Sequence, residues 1–460
     1  MLRWLATAVL SAAFLAPLNS GEAIGDEAKE KPLKAGIFSI DVSPTVGKPL
    51  AYDPTKGTVH PLSFKGVVLI GDEKPIVLCA IDWIGVANEG QRMFREALAE
   101  AAGTTVDRVE VHALHQHDAP ACDPSANAIL KPYGISGEFF DMALLRDVVA
   151  RSAEAVKKAV AEARPVSHVG LGEGIVEKVA SNRRVMGPNG KVAHVRYSAC
   201  TDPEVIAAPE GTIDPKLKMI TLWEGDKPMV AMTFYATHPQ SYYRTGLANP
   251  DFPGIARDQR QEATGIPHIH FNGASGNVTA GKYNDGSTEN RQILADRVKA
   301  GMDKAWEATV KSPIAAADLG WRSIPVALPV DPRLDEKALE ATLADEKAPI
   351  RQRGAAAHDL AWVRRCKNGE TISVSCLRLG DKARVLYMPG ELFVEYQLAA
   401  QKLRPDLFVA MAAYGDYGPG YIGTKEAYPQ GGYETQVHIS RVAPEVEDVL
   451  NKAMADLLKD

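Results

Sequence analysis

Positive charge, cysteine and long apolar runs are all scarce in this 460-residue chain, and each scarcity closes off a class of function. Lysine and arginine total 52 against 58 aspartates and glutamates, for a net charge of -6. A nucleic-acid partner would favour a basic face, so that class is set aside. Past the first two dozen residues no apolar run approaches the ~20 residues of a spanning helix, and no transmembrane segment is expected. The five cysteines, Cys79, Cys122, Cys200, Cys366 and Cys376, have no zinc-finger spacing. Any metal is therefore expected on histidine and carboxylate. Neither a low-complexity tract nor a repeat of solenoid period is visible.

What is present begins with an export pattern. Arg3 precedes an apolar stretch over 4–18, and Gly21 and Ala23 put small residues where a signal peptidase reads, so cleavage is expected after Ala23. Residues 24–32 read as a polar linker and 33–460 as one domain of an exported, periplasmic or secreted protein. The composition, 45% hydrophobic and 24% charged, is that of a folded globule. Cys79, inside an apolar run, reads as a buried thiol. Cys366 and Cys376 flank the turn signal Lys367-Asn368-Gly369 and are expected to pair after export.

Hydrophobic patterning predicts strands over 36–42, 62–70, 75–83, 108–114, 217–223, 229–236, 266–271, 372–379, 383–388 and 407–413. It predicts helices over 89–102, 138–162, 253–264, 288–309, 391–403 and 444–458. Short polar turns at 71–74 and 224–227 favour antiparallel neighbours. The fold class is α+β, with large mixed and antiparallel sheets and no regular βαβ repeat. A charged helical excursion over 333–365, split by Pro349, suits a solvated hairpin or a cover over a site.

The densest chemistry lies in the run Val111-His-Ala-Leu-His-Gln-His-Asp-Ala-Pro120, which carries three of the eleven histidines. Alternation puts His115 and His117 on one face, which suits one metal ion, or one ligand beside a proton carrier. A polar cap on the strand is the alternative. His112 is out of phase and reads as packing. Four further segments set polar groups at strand ends: Thr237-His238-Pro239-Gln240-Ser241, Asn272 to Thr279, Met388-Pro389-Gly390-Glu391, and Tyr421-Ile422-Gly423-Thr424 with Tyr433 beyond. Singly, each suits a turn or a helix start. Their shared placement favours a constructed site.

In this order the segments resemble the neutral, non-lysosomal ceramidases, zinc-dependent amidases that cleave the N-acyl bond of ceramide. The family's His-Thr-His-Ser-Gly-Pro is matched by His115-Gln116-His117-Asp118-Ala119-Pro120. Its second metal histidine matches His238, its Pro-Gly-Glu carboxylate Glu391, and its metal tyrosine Tyr421. A second active-site tyrosine matches Tyr433 before Glu434, and an Asn-Arg-Ser run matches Asn182-Arg183-Arg184. The resemblance implies a layered αββα catalytic domain with zinc on His115, His238, Glu391 and Tyr421. It implies His117 as proton carrier and Arg183 and Tyr433 as donors to the oxyanion. The partner would be a small-molecule or lipid N-acyl substrate, with membrane-surface contact left open and the oligomeric state unread.

Departures fall around the substrate. The family serine becomes Thr279, followed by Ala280-Gly281 in place of Pro-Asn. Thr279 keeps a hydroxyl for orienting groups but is a poor covalent nucleophile. Asp118 replaces a small serine and reads either as a partner for an imidazole or as a surface carboxylate. No C-terminal immunoglobulin-like domain is expected after Tyr433. The rival readings are a zinc hydrolase on another N-acyl or ester compound, and a metal- or ligand-binding relative without turnover.

Overall fold

The computed structural model describes residues 31–459, with positions 1 and 8 standing alone ahead of them. The expected export signal over 1–23 and most of the linker over 24–32 lie outside the described residues. Among the described residues one chain path is used three times. First come β1 (Leu33–Asp41), β2 (Ser63–Ile70) and β3 (Ile76–Ile81), paired antiparallel in sequence. Next α1 (Glu89–Ala102) crosses over, β4 (Val109–Ala113) joins β3 in parallel, and α2 (Met142–Ala161) follows.

The second pass runs β5 (His168–Ile175), β6 (Lys216–Glu224), β7 (Lys227–Tyr235), α3 (Asp251–Thr264), β8 (His268–Asn272) and α4 (Thr288–Glu307). The third starts with β9 (Leu319–Val326), then an inserted helical pair, α5 (Glu336–Ala344) and α6 (Ile350–Lys367). It continues with β10 (Ile372–Leu379), β11 (Ala383–Tyr387), α7 (Val394–Leu403), β12 (Phe408–Ala412) and α8 (Val446–Leu457). Each pass gives a sheet of the same order, β4-β3-β2-β1, β8-β7-β6-β5 and β12-β11-β10-β9. The first two gain an edge strand, Arg164–Val166 and Val310–Pro313. In each, the last strand is parallel to its neighbour, because a crossover helix returns the chain to the same end.

The inner faces of the three sheets share one core. Leu69 and Leu78 of the first meet Leu222 and Phe271 of the second and Val385 and Ala410 of the third. Helices cover the outer faces, so the fold is α+β with sheets inside, as the sequence predicts. In α1, buried Phe94, Leu98 and Ala102 recur every four residues and make the apolar stripe. Burying Phe94 and Leu98 stabilises by about 1.5–3 kcal/mol each. Gly103, at φ 65°, ends the helix in the left-handed conformation glycine adopts without strain.

Four differences from the expected elements have physical reasons. β5 went unread because its alternate positions are Gly170, Gly172 and Gly174. A Cβ at Gly172 would stand 2.0 Å from the Ala305 carbonyl oxygen, so the glycines let α4 lie directly on the strand. β9 also went unread, since it is a half-exposed edge strand containing Pro325. The helix expected from Glu391 starts at Val394, because Glu391–Leu392 pairs in parallel with Tyr421–Ile422. Finally, Cys366 and Cys376 are both free. Cys366 sits on α6 rather than on an extended segment, and Cys376 stands four residues into β10, roughly 13 Å along the strand.

The three passes meet at their last strands. The Ala113 N–H donates to the Tyr414 carbonyl and the Ala413 N–H to the Asn272 carbonyl, both at 2.9 Å. The Asn272 side-chain amide donates to the Leu114 carbonyl at 3.3 Å. The carboxyl ends of β4, β8 and β12 therefore converge, and the side chains just beyond them share one place.

Candidate active site

Each pass contributes one group to a buried cluster at this convergence. His115 follows β4, His238 follows β7, and Glu391 follows β11. The His115 Nε2 lies 3.1 Å from His238 Nε2. Glu391 Oε2 lies 3.3 Å from the first nitrogen and 3.5 Å from the second. Tetrahedral zinc with bonds of ~2.0–2.1 Å separates its ligands by roughly 3.3 Å, so these edges fit.

The protons make the argument stronger. His115 Nδ1 donates to the Ile84 carbonyl at 2.6 Å and His238 Nδ1 to the Ser275 carbonyl at 3.2 Å. In the neutral tautomer these bonds select, each Nε2 presents a lone pair, and burial pushes the His238 imidazole well below its ordinary value, toward the neutral ligand form. Glu391 Oε2 is buried without a hydrogen-bond partner. In that tautomer three lone pairs face one another, an arrangement that a cation relieves.

The cluster has a supporting layer. The Tyr417 hydroxyl donates to Glu391 Oε1 and leaves Oε2 directed at the imidazoles. Burial, then the Glu391 charge, pushes the Tyr417 phenol well up, which keeps it a donor. Tyr414 stacks on the His115 ring at 4.4 Å and shares a 2.7 Å hydrogen bond with Ser275. His115 and Tyr414 both sit at positive φ, 72° and 60°. Such strain in non-glycine residues is concentrated at functional sites. It also corrects one expectation: β4 ends at Ala113, and a left-handed turn, not strand alternation, brings His115 and His117 together.

His117 lies beside the cluster, its ring 5.0 Å from that of His115 and stacked on Tyr52 at 5.9 Å. Ligand atoms of His115, His117 and His238 all lie within 4.8 Å of one another, but Glu391 comes closer to the other two histidines. The His117 Nδ1 is committed to the Pro239 carbonyl at 3.2 Å, which leaves Nε2 as an acceptor. Burial, with the neighbouring His115, pushes His117 well below its usual value.

Arg183 reaches in from the segment between β5 and β6. Its Nη1 donates to the Tyr421 hydroxyl at 2.8 Å, and its Nε lies 3.3 Å from Glu434. The guanidinium sits over the Tyr433 ring at 5.4 Å. Burial alone would lower Arg183, but Tyr421, Glu434 and Glu391 together raise it, so it stays charged. Tyr421 lies beside Glu391 in the short parallel pair, its ring parallel to that of His238 at 6.3 Å. Burial and the Glu391 charge push Tyr433 up to about 12, so it stays a hydroxyl donor.

His115, His117, Arg183, Glu391, Tyr421 and Tyr433 line one cavity of about 250 Å³, with His238 against His115 at its floor. Thr279 stands apart from that lining. Its hydroxyl donates to the Tyr197 carbonyl at 3.2 Å, and its backbone bridges to His238. Asp118 accepts from Thr245, both N–H and hydroxyl, and so clamps a loop instead of orienting an imidazole. His112 packs between sheets against Phe271 and Tyr387. Sequence reading missed Tyr52, Tyr197, Tyr243, Tyr417, His438 and Arg441, which also line the cavity. For Tyr417 a signal existed, since Tyr414-Gly-Asp-Tyr417-Gly-Pro-Gly420 directly follows a strand.

No known family's sequence profile matches the chain, and no curated protein matches it in sequence. Solved structures match it in fold. Neutral ceramidase from Pseudomonas aeruginosa is similar with a TM-score of 0.69 and 16% identity, over 93% of this chain and 74% of that one. A ceramidase complexed with C2 is similar with a TM-score of 0.68, again at 16% identity, over 93% and 75%. At that identity the likeness establishes a shared fold.

Proposed function

We propose that the chain is an exported zinc-dependent hydrolase that cleaves an N-acyl amide bond, with residues 33–460 as its catalytic domain. The observation that carries this reading is the buried cluster of three potential metal donors, His115 Nε2, His238 Nε2 and Glu391 Oε2, 3.1–3.5 Å apart. These three would hold the metal, with Tyr421 beside them as the fourth ligand. Zinc, when bound, supplies a Lewis acid that polarises the scissile carbonyl and acidifies water.

The chain's own residues account for the rest. His117, with Nδ1 fixed on Pro239, takes a proton at Nε2 from the attacking water and delivers it to the leaving amine. The carbonyl carbon gains a bond to oxygen and loses its bond to nitrogen, and the departing nitrogen gains the proton. Arg183 and the Tyr433 hydroxyl would donate to the oxyanion, and losing one such donor typically costs about 2.7–4 kcal/mol. Thr279 bridges through its backbone to His238 and leaves the reacting groups to others. Within this class the structural likeness favours ceramide itself, and the cavity lining favours something shorter.

The test is elemental analysis of unchelated protein joined to hydrolysis of a chromogenic N-acyl amide. One zinc per chain with hydrolysis is expected. His117→Ala should keep zinc and lower turnover by about 10²–10⁴. Zinc at background would sink the metal reading, and stoichiometric zinc without any hydrolysis would favour a binding protein.

A further inference from the structure

The cavity walls are neither apolar nor neutral. Of the chain's 14 tyrosines six line this one space, and Ile439 is its single aliphatic residue. At about 250 Å³ it falls below the ~300–1,000 Å³ usual for drug-sized ligands. Long hydrocarbon chains gain their binding energy from continuous apolar surface, whereas here hydroxyl-bearing rings alternate with histidine, arginine and carboxylate side chains.

Arg183 is matched by Glu434, 3.3 Å from its Nε, and by the lining carboxylate Glu391. Another part of the lining differs: Arg441 and His438 share the single carboxylate of Asp359. Arg441 Nε donates to one oxygen at 2.6 Å and His438 Nδ1 to the other at 2.5 Å. Asp359 comes from α6, so the helical insertion does reach the site, by anchoring this wall. Its hydrogen bond raises His438 above its ordinary value. Arg441 is charged at any working pH. The His438 ring is half exposed and at φ 73°, held out in the left-handed region.

We propose that the cavity takes a short N-acyl compound bearing a carboxylate or similar anion, received by the His438–Arg441 wall. The proposal rests on the amide-hydrolase reading for its chemistry but on the cavity walls for its specificity. It makes His438 a specificity-determining residue and Asp359 its positioning residue.

The test measures calorimetric binding to the zinc-loaded full chain carrying His117→Ala to suppress turnover. The probes are N-acetylalanine and N-isopropylacetamide, which has a methyl in place of the carboxylate. The acid is expected to bind at least about tenfold tighter, and His438→Asn to cut that preference by about tenfold. Asparagine tolerates positive φ, so this variant keeps the backbone. His438→Glu should erase the preference. Equal binding of the two probes overturns the proposal, as does a preference that survives His438→Glu, which would mean the acid binds elsewhere.

A turnover arm on the parent chain separates the two readings. Hydrolysis of N-hexadecanoylsphingosine with N-acetylalanine neither bound nor cleaved overturns the anion proposal and leaves the amidase standing. No hydrolysis of any amide overturns the amidase, and the calorimetry still decides the anion site.

Discussion

Two buried polar clusters lie on neighbouring elements of this protein, and only one is complete. Around Asp82, Arg257 donates twice, at 2.7 and 2.9 Å, and two further N–H groups go to Asp258, both at 2.9 Å. Ser63 donates to Asp82 through both backbone and hydroxyl at 2.7 Å. Every charge there has an opposite charge. Around Glu391 a carboxylate oxygen faces two imidazole lone pairs and accepts from nothing. Asp82 and Arg257 are as buried as Glu391 and its two imidazoles, so burial does not mark function. A closed set of donors and acceptors is architecture, whereas an open set of one sign asks for something from outside.

The comparison breaks first at its open side. Zinc at about 1,000 times its Kd should stabilise the parent chain by ~4.1 kcal/mol and raise its Tm. Glu391→Ala should erase that rise and reduce hydrolysis to background. A zinc-dependent Tm shift of full size in this variant would remove Glu391 from the ligand set. At the closed side, Asp82→Asn leaves a buried guanidinium half paired. Unfolding free energy should fall by about 3 kcal/mol, the lower end for a broken buried pair because Asp258 remains. Zinc per folded chain should be unchanged, and loss of both together would mean that the two clusters are one unit.

Tyr417→Phe sharpens the boundary between them, since it removes the one hydrogen bond that orients Glu391. Competition with a chromophoric chelator should report zinc bound about 10–100-fold more weakly. Unchanged affinity would make Tyr417 mere lining. The smallest effect is expected at Thr279→Ser. The hydroxyl that donates to Tyr197 is kept, so kcat/KM should stay within roughly tenfold, about 1.4 kcal/mol. A covalent acyl group trapped at residue 279 would overturn the mechanism.

Much of this was legible along the chain. α1 falls where the patterning predicts it because it has one buried face of helical period, and β10 because it is a short apolar run buried on both faces. The helical pair is legible from its charged composition and the break at Pro349. β5 was illegible because its glycines pack by being absent as side chains, and a hydrophobic pattern cannot record missing atoms. The threefold chain path was equally hidden. The passes share topology, yet their insertions differ, from a loop bearing Tyr52 to the segment bearing Arg183 to a helical pair.

The sequence by itself determined which residue types stand at strand ends: His115, His117, His238, Glu391, Tyr421 and Tyr433 were all readable as strand-end or turn groups. That follows from local physics, since turn chemistry and alternation are properties of a few neighbouring residues. Only the tertiary structure decided that three of these donors face each other across 3.1–3.5 Å, that Tyr417 holds one carboxylate oxygen and leaves the other bare, and that Asp359 fixes His438 and Arg441 in the lining of the same cavity. Those facts arise where the last strands of three sheets meet, from segments hundreds of residues apart, and no local rule relates them. The balance of charge in a buried space belongs to whichever side chains the fold encloses there, and enclosure is a property of the packed molecule alone.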